Sequence, residues 1–112
     1  MDQEIKKKWV AALRSGDYIQ GNQVLCRKLP AGNKYCCMGV LCEVLGVKKS
    51  YYDGTRAIYD NNQSWFLPDS VVEKLGFQSS NPKIRDTTLS NYNDRLGWNF
   101  NQIADLIESS DL

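Results

Sequence analysis

Cys36 and Cys37 stand side by side at the front of the most apolar stretch of the chain. A helix N-terminus there would lower a thiol's pKa and could make it a nucleophile. The chain has no histidine, which removes the commonest general base, the usual partner of a cysteine nucleophile and a common zinc ligand. Papain-like chemistry is thereby excluded, and the plainer reading is that these are structural thiols, because free cysteine commonly packs as a small buried apolar residue. A metal site fares no better. Structural zinc favours Cys-x-x-Cys pairs, whereas this chain offers Cys26, the adjacent Cys36 and Cys37, and Cys42. On a helix Cys37 and Cys42 would point about 140° apart. No metal and no cofactor are expected.

Two carboxylate pairs invite the same test. Asp105 and Glu108 lie three apart near the C-terminus, and Asp53 and Asp60 flank a turn-rich segment. Both sit among polar residues, without the burial that would drive two carboxylate pKa values apart, so solvated charges are expected. No phosphate-cradling loop is present, since the Gly16 to Gly21 segment is short and lacks the lysine. The chain reads as a binder and not as an enzyme.

The constellation suited to binding comprises Arg14, Tyr18, Gln20, Arg27, Tyr35, Asn93 and Asp94, with Asn22, Lys28 and Trp65 as contributors. Arginine offers a planar fork of donors to phosphate or carboxylate, aromatic rings offer stacking faces, and amides read a base or sugar edge. An anionic, aromatic small molecule fits such a set. The alternative is that Tyr35 and Trp65 fill the edge of the core while the cations solvate the surface.

These side chains need elements to carry them. Ile5, Trp9, Ala12 and Leu13 recur at helical spacing over Gln3 to Ser15, with Asp2 as a cap and Gly16 as a stop. Val24 to Leu29 and Lys34 to Cys36 flank a Pro30-Ala31-Gly32-Asn33 turn, which predicts a hairpin. Tyr35 to Val47, apolar nearly all round, predicts a buried central helix in which Gly39 permits close approach of a neighbour. Residues 48–62 read either as short strands or as an irregular excursion. Trp65-Phe66-Leu67 reads as a strand, followed by a short helix between Pro68 and Gly76. Residues 78–88 read as an exposed loop, and Asn99 caps a last helix carrying Phe100, Ile103 and Ile107. The fold class is therefore α+β: a single domain over 1–112, with a short antiparallel hairpin or sheet packed on a central helix and flanked by N- and C-terminal helices.

Bulk properties narrow the partners. Hydrophobic residues at 42% and charged residues at 24% place the chain among ordered globular domains. Fourteen Lys and Arg against thirteen Asp and Glu give a net charge of +1, so no overall field favours nucleic acid or an anionic membrane. Lys6-Lys7-Lys8, beside Asp2 and Glu4, reads as a solvated helix face. No segment has the length of apolar residues that a membrane span needs, no secretory leader is evident, and the few clustered cysteines suit a reducing compartment. A cytoplasmic protein is expected.

Several segments resemble a family of small tailed-bacteriophage and prophage proteins. They are Trp9 to Gly16 with Tyr18 and Gln20-Gly21, Tyr35 to Val44, Leu67-Pro68 before Val71, and Leu89, Asn93-Asp94, Gly97 and Phe100 leading into Ile103 to Glu108. The departure is Tyr92, where relatives commonly have leucine. The resemblance supplies no catalytic residues; it implies an accessory protein acting in the cytoplasm of an infected bacterium. The function expected from this setting is sequestration of a small nucleotide-derived host immune signal. The alternative is inhibition of a host enzyme through exposed loops, either the Tyr51-Tyr52 excursion or residues 78–88. A homodimer is the default oligomer expected.

Overall fold

A computed structural model describes all 112 residues. Helix α1 (Gln3–Arg14) begins where the Asp2 carboxylate accepts the amides of Glu4 and Ile5 at 2.8 and 3.1 Å, satisfying donors that the first turn leaves free. It buries Trp9, Val10 and Leu13, and the Trp9 indole N–H donates to the Cys37 carbonyl at 2.9 Å. Lys6 departs from the solvated face expected of it. It is buried, and its ammonium donates to the Ser110 carbonyl at 2.7 Å, so its stem packs while its charge still finds an acceptor.

Five short strands form one sheet in the order β1-β3-β2-β5-β4: β1 (Ile19–Gln20), β2 (Cys26–Arg27), β3 (Lys34–Tyr35), β4 (Lys49–Tyr52) and β5 (Arg56–Tyr59). The expected hairpin is present as β2 and β3, with Cys26 opposite Tyr35 and Arg27 opposite Lys34. β1 joins the far side of β3 in parallel, the sole parallel pair in an otherwise antiparallel sheet. Residues 48–62 resolve into the β4–β5 hairpin, whose turn places Asp53 and Gly54 in the left-handed region.

The central helix α2 (Cys37–Val44) is shorter than predicted. Cys36 is extended, at φ −82° and ψ 172°, and Tyr35 belongs to β3, so apolarity marked burial here and not helix. Gly39 sits directly against β2's approach, where a Cβ would collide with the Leu25 carbonyl oxygen. Helix α3 (Asp69–Leu75) runs from Pro68 to a left-handed Gly76, as expected. The strand expected at Trp65-Phe66-Leu67 does not form. That segment crosses the sheet's end, the Ser64 carbonyl accepting from Leu25 and the Leu67 amide donating to Ser80, and only Leu67 of the three is buried.

Residues 78–88 are likewise not simply an exposed loop. Lys83–Ile84 (β6) and Thr87–Thr88 (β7) pair across a two-residue turn in which Arg85 and Asp86 both have positive φ. Neither turn residue is glycine or asparagine, so the usual turn signal is missing. Ile84 is buried, and its carbonyl accepts the Tyr92 hydroxyl at 2.8 Å. A π-helical turn over Asn91–Arg95 then buries Tyr92 and Asn93. Helix α4 (Phe100–Glu108) starts with a reciprocal Asn99–Gln102 capping box and packs along α1. The architecture is α+β, with helices flanking a small sheet, and no helix is long and apolar enough to cross a membrane.

Candidate ligand-binding site

The structure does not bring the seven predicted residues into one pocket. Arg14 lies on α1 facing α4, where its guanidinium reaches Asp105 at 2.6 Å and Glu108 at 3.1 Å. Its pKa is raised by those hydrogen bonds, first to Glu108 and then to Asp105, while Glu108 is lowered by Arg14. The two carboxylates are exposed, as expected, but they serve as its partners.

Gln20, Asn93 and Asp94 do meet, as a tie between chain segments. The Asn93 side-chain oxygen accepts from Gln20 at 3.0 Å and from the Cys37 amide at 3.2 Å, while its nitrogen donates to the Gly21 carbonyl and to Asp94, both at 2.8 Å. Gln20 also donates to the Trp98 carbonyl, and Asp94 accepts the Gln23 amide at 3.0 Å, holding Gln23 at positive φ. Both donors and the acceptor oxygen of Asn93 are thus engaged inside the protein.

Tyr18 meets Tyr35 edge-on, with ring centroids 5.1 Å apart, and Tyr35 is buried on the sheet's inner face beside Cys26. The same side holds Lys49, which donates to Glu43 at 3.1 Å, and the Tyr59 hydroxyl, which donates to Glu43 at 2.7 Å. Burial and then that hydrogen bond push the Tyr59 phenol's pKa well above its ordinary value. All four cysteines are free and buried, and burial raises each thiol, Cys36 to about 12. These thiols are protonated near neutral pH and unsuited to nucleophilic work. No group of acidic or cysteine side chains is placed to hold a metal ion.

Arg27 lies on the opposite face, and it has company there. Partners in register share a face, so the pairs Ile19–Lys34, Lys34–Arg27, Arg27–Arg56 and Arg56–Tyr52 make one continuous row across all five strands. Its middle three members are cations. None of Lys34, Arg27 and Arg56 has a carboxylate within 4.0 Å. Asp53, near Arg56 in sequence, accepts from the Thr55 hydroxyl at 2.8 Å, and its carboxyl is lowered first by that bond and more weakly by the Arg56 amide and charge. The Arg56 guanidinium lies 4.8 Å from the Tyr52 ring centroid and 5.7 Å from that of Trp65, and its Nε is shielded from solvent without an acceptor. Tyr52 is 55% exposed and Trp65 45% exposed. Like charges placed directly opposite one another weaken a sheet, so this row is a local cost that an anionic ligand would offset.

A concavity lies elsewhere, a groove of about 790 Å³ between Gly76–Ser79, β6 and residues 109–112. A shallower recess of about 280 Å³ beside Trp98 and Gln102 adjoins it through Arg85 and Ser109. None of the seven predicted residues lines either one, and Asp111 stands in the groove with Lys83 and Arg85. Neither cation is paired with a ring there, unlike Arg56.

Fold and site together define a small α+β domain that presents an open sheet face of cations bordered by aromatic rings. The chain belongs to the family described as a domain of unknown function, DUF8296, which matches residues 1–111. No curated protein and no solved structure matches it.

Lys34 and Arg56 were missed by sequence reasoning, and Tyr52 was singled out only as part of an exposed protein-binding excursion. A basic or aromatic residue at every other strand position would have been the only signal, and strands of two and four residues are too short to show it.

Proposed function

We propose that this protein is a non-catalytic binder that captures a small nucleotide-derived signal on the outer sheet face. In that reading it acts in the cytoplasm of a phage-infected bacterium, where removing the signal blunts host defence. The observation that carries it is the unpartnered Lys34, Arg27 and Arg56 row ending at Tyr52 and Trp65. Cations without carboxylates await an anion, and exposed rings next to them offer a stacking surface for a base. Of the seven residues expected from sequence, Arg27 contributes directly. Gln20, Asn93 and Asp94 support the fold that holds β1 against β3, and a symmetric dimer would let two such faces share one ligand.

Thermal-shift measurements against cyclic dinucleotides, cyclic ADP-ribose isomers and other adenine-based signals test the proposal. A ligand at a hundred times its Kd adds about 2.7 kcal/mol of stability. The shift should disappear in Arg27→Gln and shrink in Trp65→Ala. A flat screen on folded protein would turn attention to the second reading, a protein-binding inhibitor. The observation favouring that reading is the exposure of Tyr52, Trp65 and Phe66 together, since exposed aromatic residues commonly anchor protein interfaces.

A further inference from the structure

We infer that the ligand of the sheet face carries at least two linked phosphates, laid across β3, β2 and β5, with its base toward Tyr52 and Trp65; this rests on the nucleotide reading above. Neighbouring strands lie about 4.8 Å apart, so the backbone positions of three consecutive cations in register span about 10 Å. The Arg56 guanidinium rests against both the Tyr52 and Trp65 rings, which draws it away from sharing a single phosphate with Lys34 two strands across. A lone phosphate therefore engages Arg27 with one neighbour and leaves the third cation unmatched. Two linked phosphates engage all three.

The order of side chains along the row also sets a direction. Ile19, more than half exposed, closes the β1 end, whereas the rings stand at the β4 end beside Arg56. The Arg56 terminal nitrogens make no hydrogen bond within the protein, and its shielded Nε has no acceptor either. The guanidinium thus serves as the hinge between the phosphate track and the rings. Tyr52 and Trp65 hold it in place before any ligand arrives, so less rotamer freedom is lost on binding.

The numbers favour a small ligand over a nucleic-acid strand. Three cations on a chain of net charge +1 suffice for one oligophosphate but supply little of the sequence-independent attraction that strands require.

Isothermal titration of the purified chain with adenosine, AMP, ADP and a short oligothymidylate, all at one ionic strength, decides this. ADP should bind at least about tenfold more tightly than AMP, the factor that 1.4 kcal/mol represents. Lys34→Gln should bring ADP down toward AMP, and Trp65→Ala should weaken both. Equal affinities for AMP and ADP overturn the inference and leave the nucleotide reading standing. Binding of none of the nucleotides, with the far-ultraviolet spectrum of a folded chain, overturns the inference, and a flat thermal-shift screen beside it removes the nucleotide reading as well. Tighter binding of the oligothymidylate than of ADP replaces both with a single-stranded nucleic-acid ligand.

Discussion

Asn93 shows how one side chain can decide the path of distant segments. It satisfies the amide of Cys37 at the start of α2 and the carbonyl of Gly21 after β1, and its oxygen accepts a hydrogen bond from the Gln20 side chain. Asn93→Ala strands these buried groups, each worth about 1–3 kcal/mol when unsatisfied, so a loss of about 2–4 kcal/mol in urea denaturation is expected. The cysteines give a pH-dependent counterpart. Burial lifts Cys36 from 9.0 to about 12 and raises the other three as well. Well below pH 9 the thiols are neutral in both states and contribute no slope. Above it the unfolded chain releases protons that the native state keeps, so the unfolded state binds fewer protons and stability falls with rising pH. Urea midpoints should therefore decline between pH 9 and 12, and at pH 8 iodoacetamide should label the thiols of the native chain far more slowly than those of the denatured one.

At the scale of elements, one close approach and one row of like charges bear on stability. In an exposed helix Gly→Ala would add about 0.5–1 kcal/mol of stability. At Gly39 the added Cβ meets the Leu25 backbone carbonyl, which cannot rotate away as a side chain would. Gly39→Ala should cost more than about 3 kcal/mol or leave the chain unfolded, beyond the usual 1–3 kcal/mol of overpacking, as thermal melts would show. Arg27→Gln has the opposite sign, because it removes the central charge from a row of three. Without ligand its melting temperature should match or exceed that of the parent, a gain on the order of 0.5 kcal/mol, while ligand-induced stabilisation is lost. A residue there for stability alone would show the reverse. The helices and the first hairpin were readable from caps, periodicity and turn residues, and the β6–β7 hairpin was not, because its turn is built from Arg85 and Asp86 in a conformation that glycine or asparagine normally supplies.

At the scale of the molecule, α1 and α4 close the fold by joining segments near the two ends of the chain. Arg14 reaches Asp105 and Glu108, and Lys6 reaches the Ser110 carbonyl. The exposed Arg14 pairs lie in water and are screened by salt, whereas the Lys6 bond is shielded by burial. Hydrogen exchange should therefore quicken at residues 108–112 in Lys6→Met at all salt concentrations, and in Arg14→Ala mainly at low salt. Neither change touches the sheet face, so nucleotide binding should persist in both variants.

The amino-acid sequence by itself determined where α1 and α3 start and stop and where α4 starts, that the cysteine-rich segment is buried, and that the chain has no histidine with which to activate a thiol. Each of these follows from residues close in the chain, through caps, a 3.6-residue period or composition. It did not reveal that Asn93 belongs to the interior, that Arg14 is committed to α4, or that Lys34, Arg27, Arg56 and Tyr52 form one row. Those facts depend on strand register and face, and register joins residues from different strands that no local pattern connects. Only the assembled sheet placed three cations of separate segments on the same side, because pairing one residue out of step would have turned each of them to the other face.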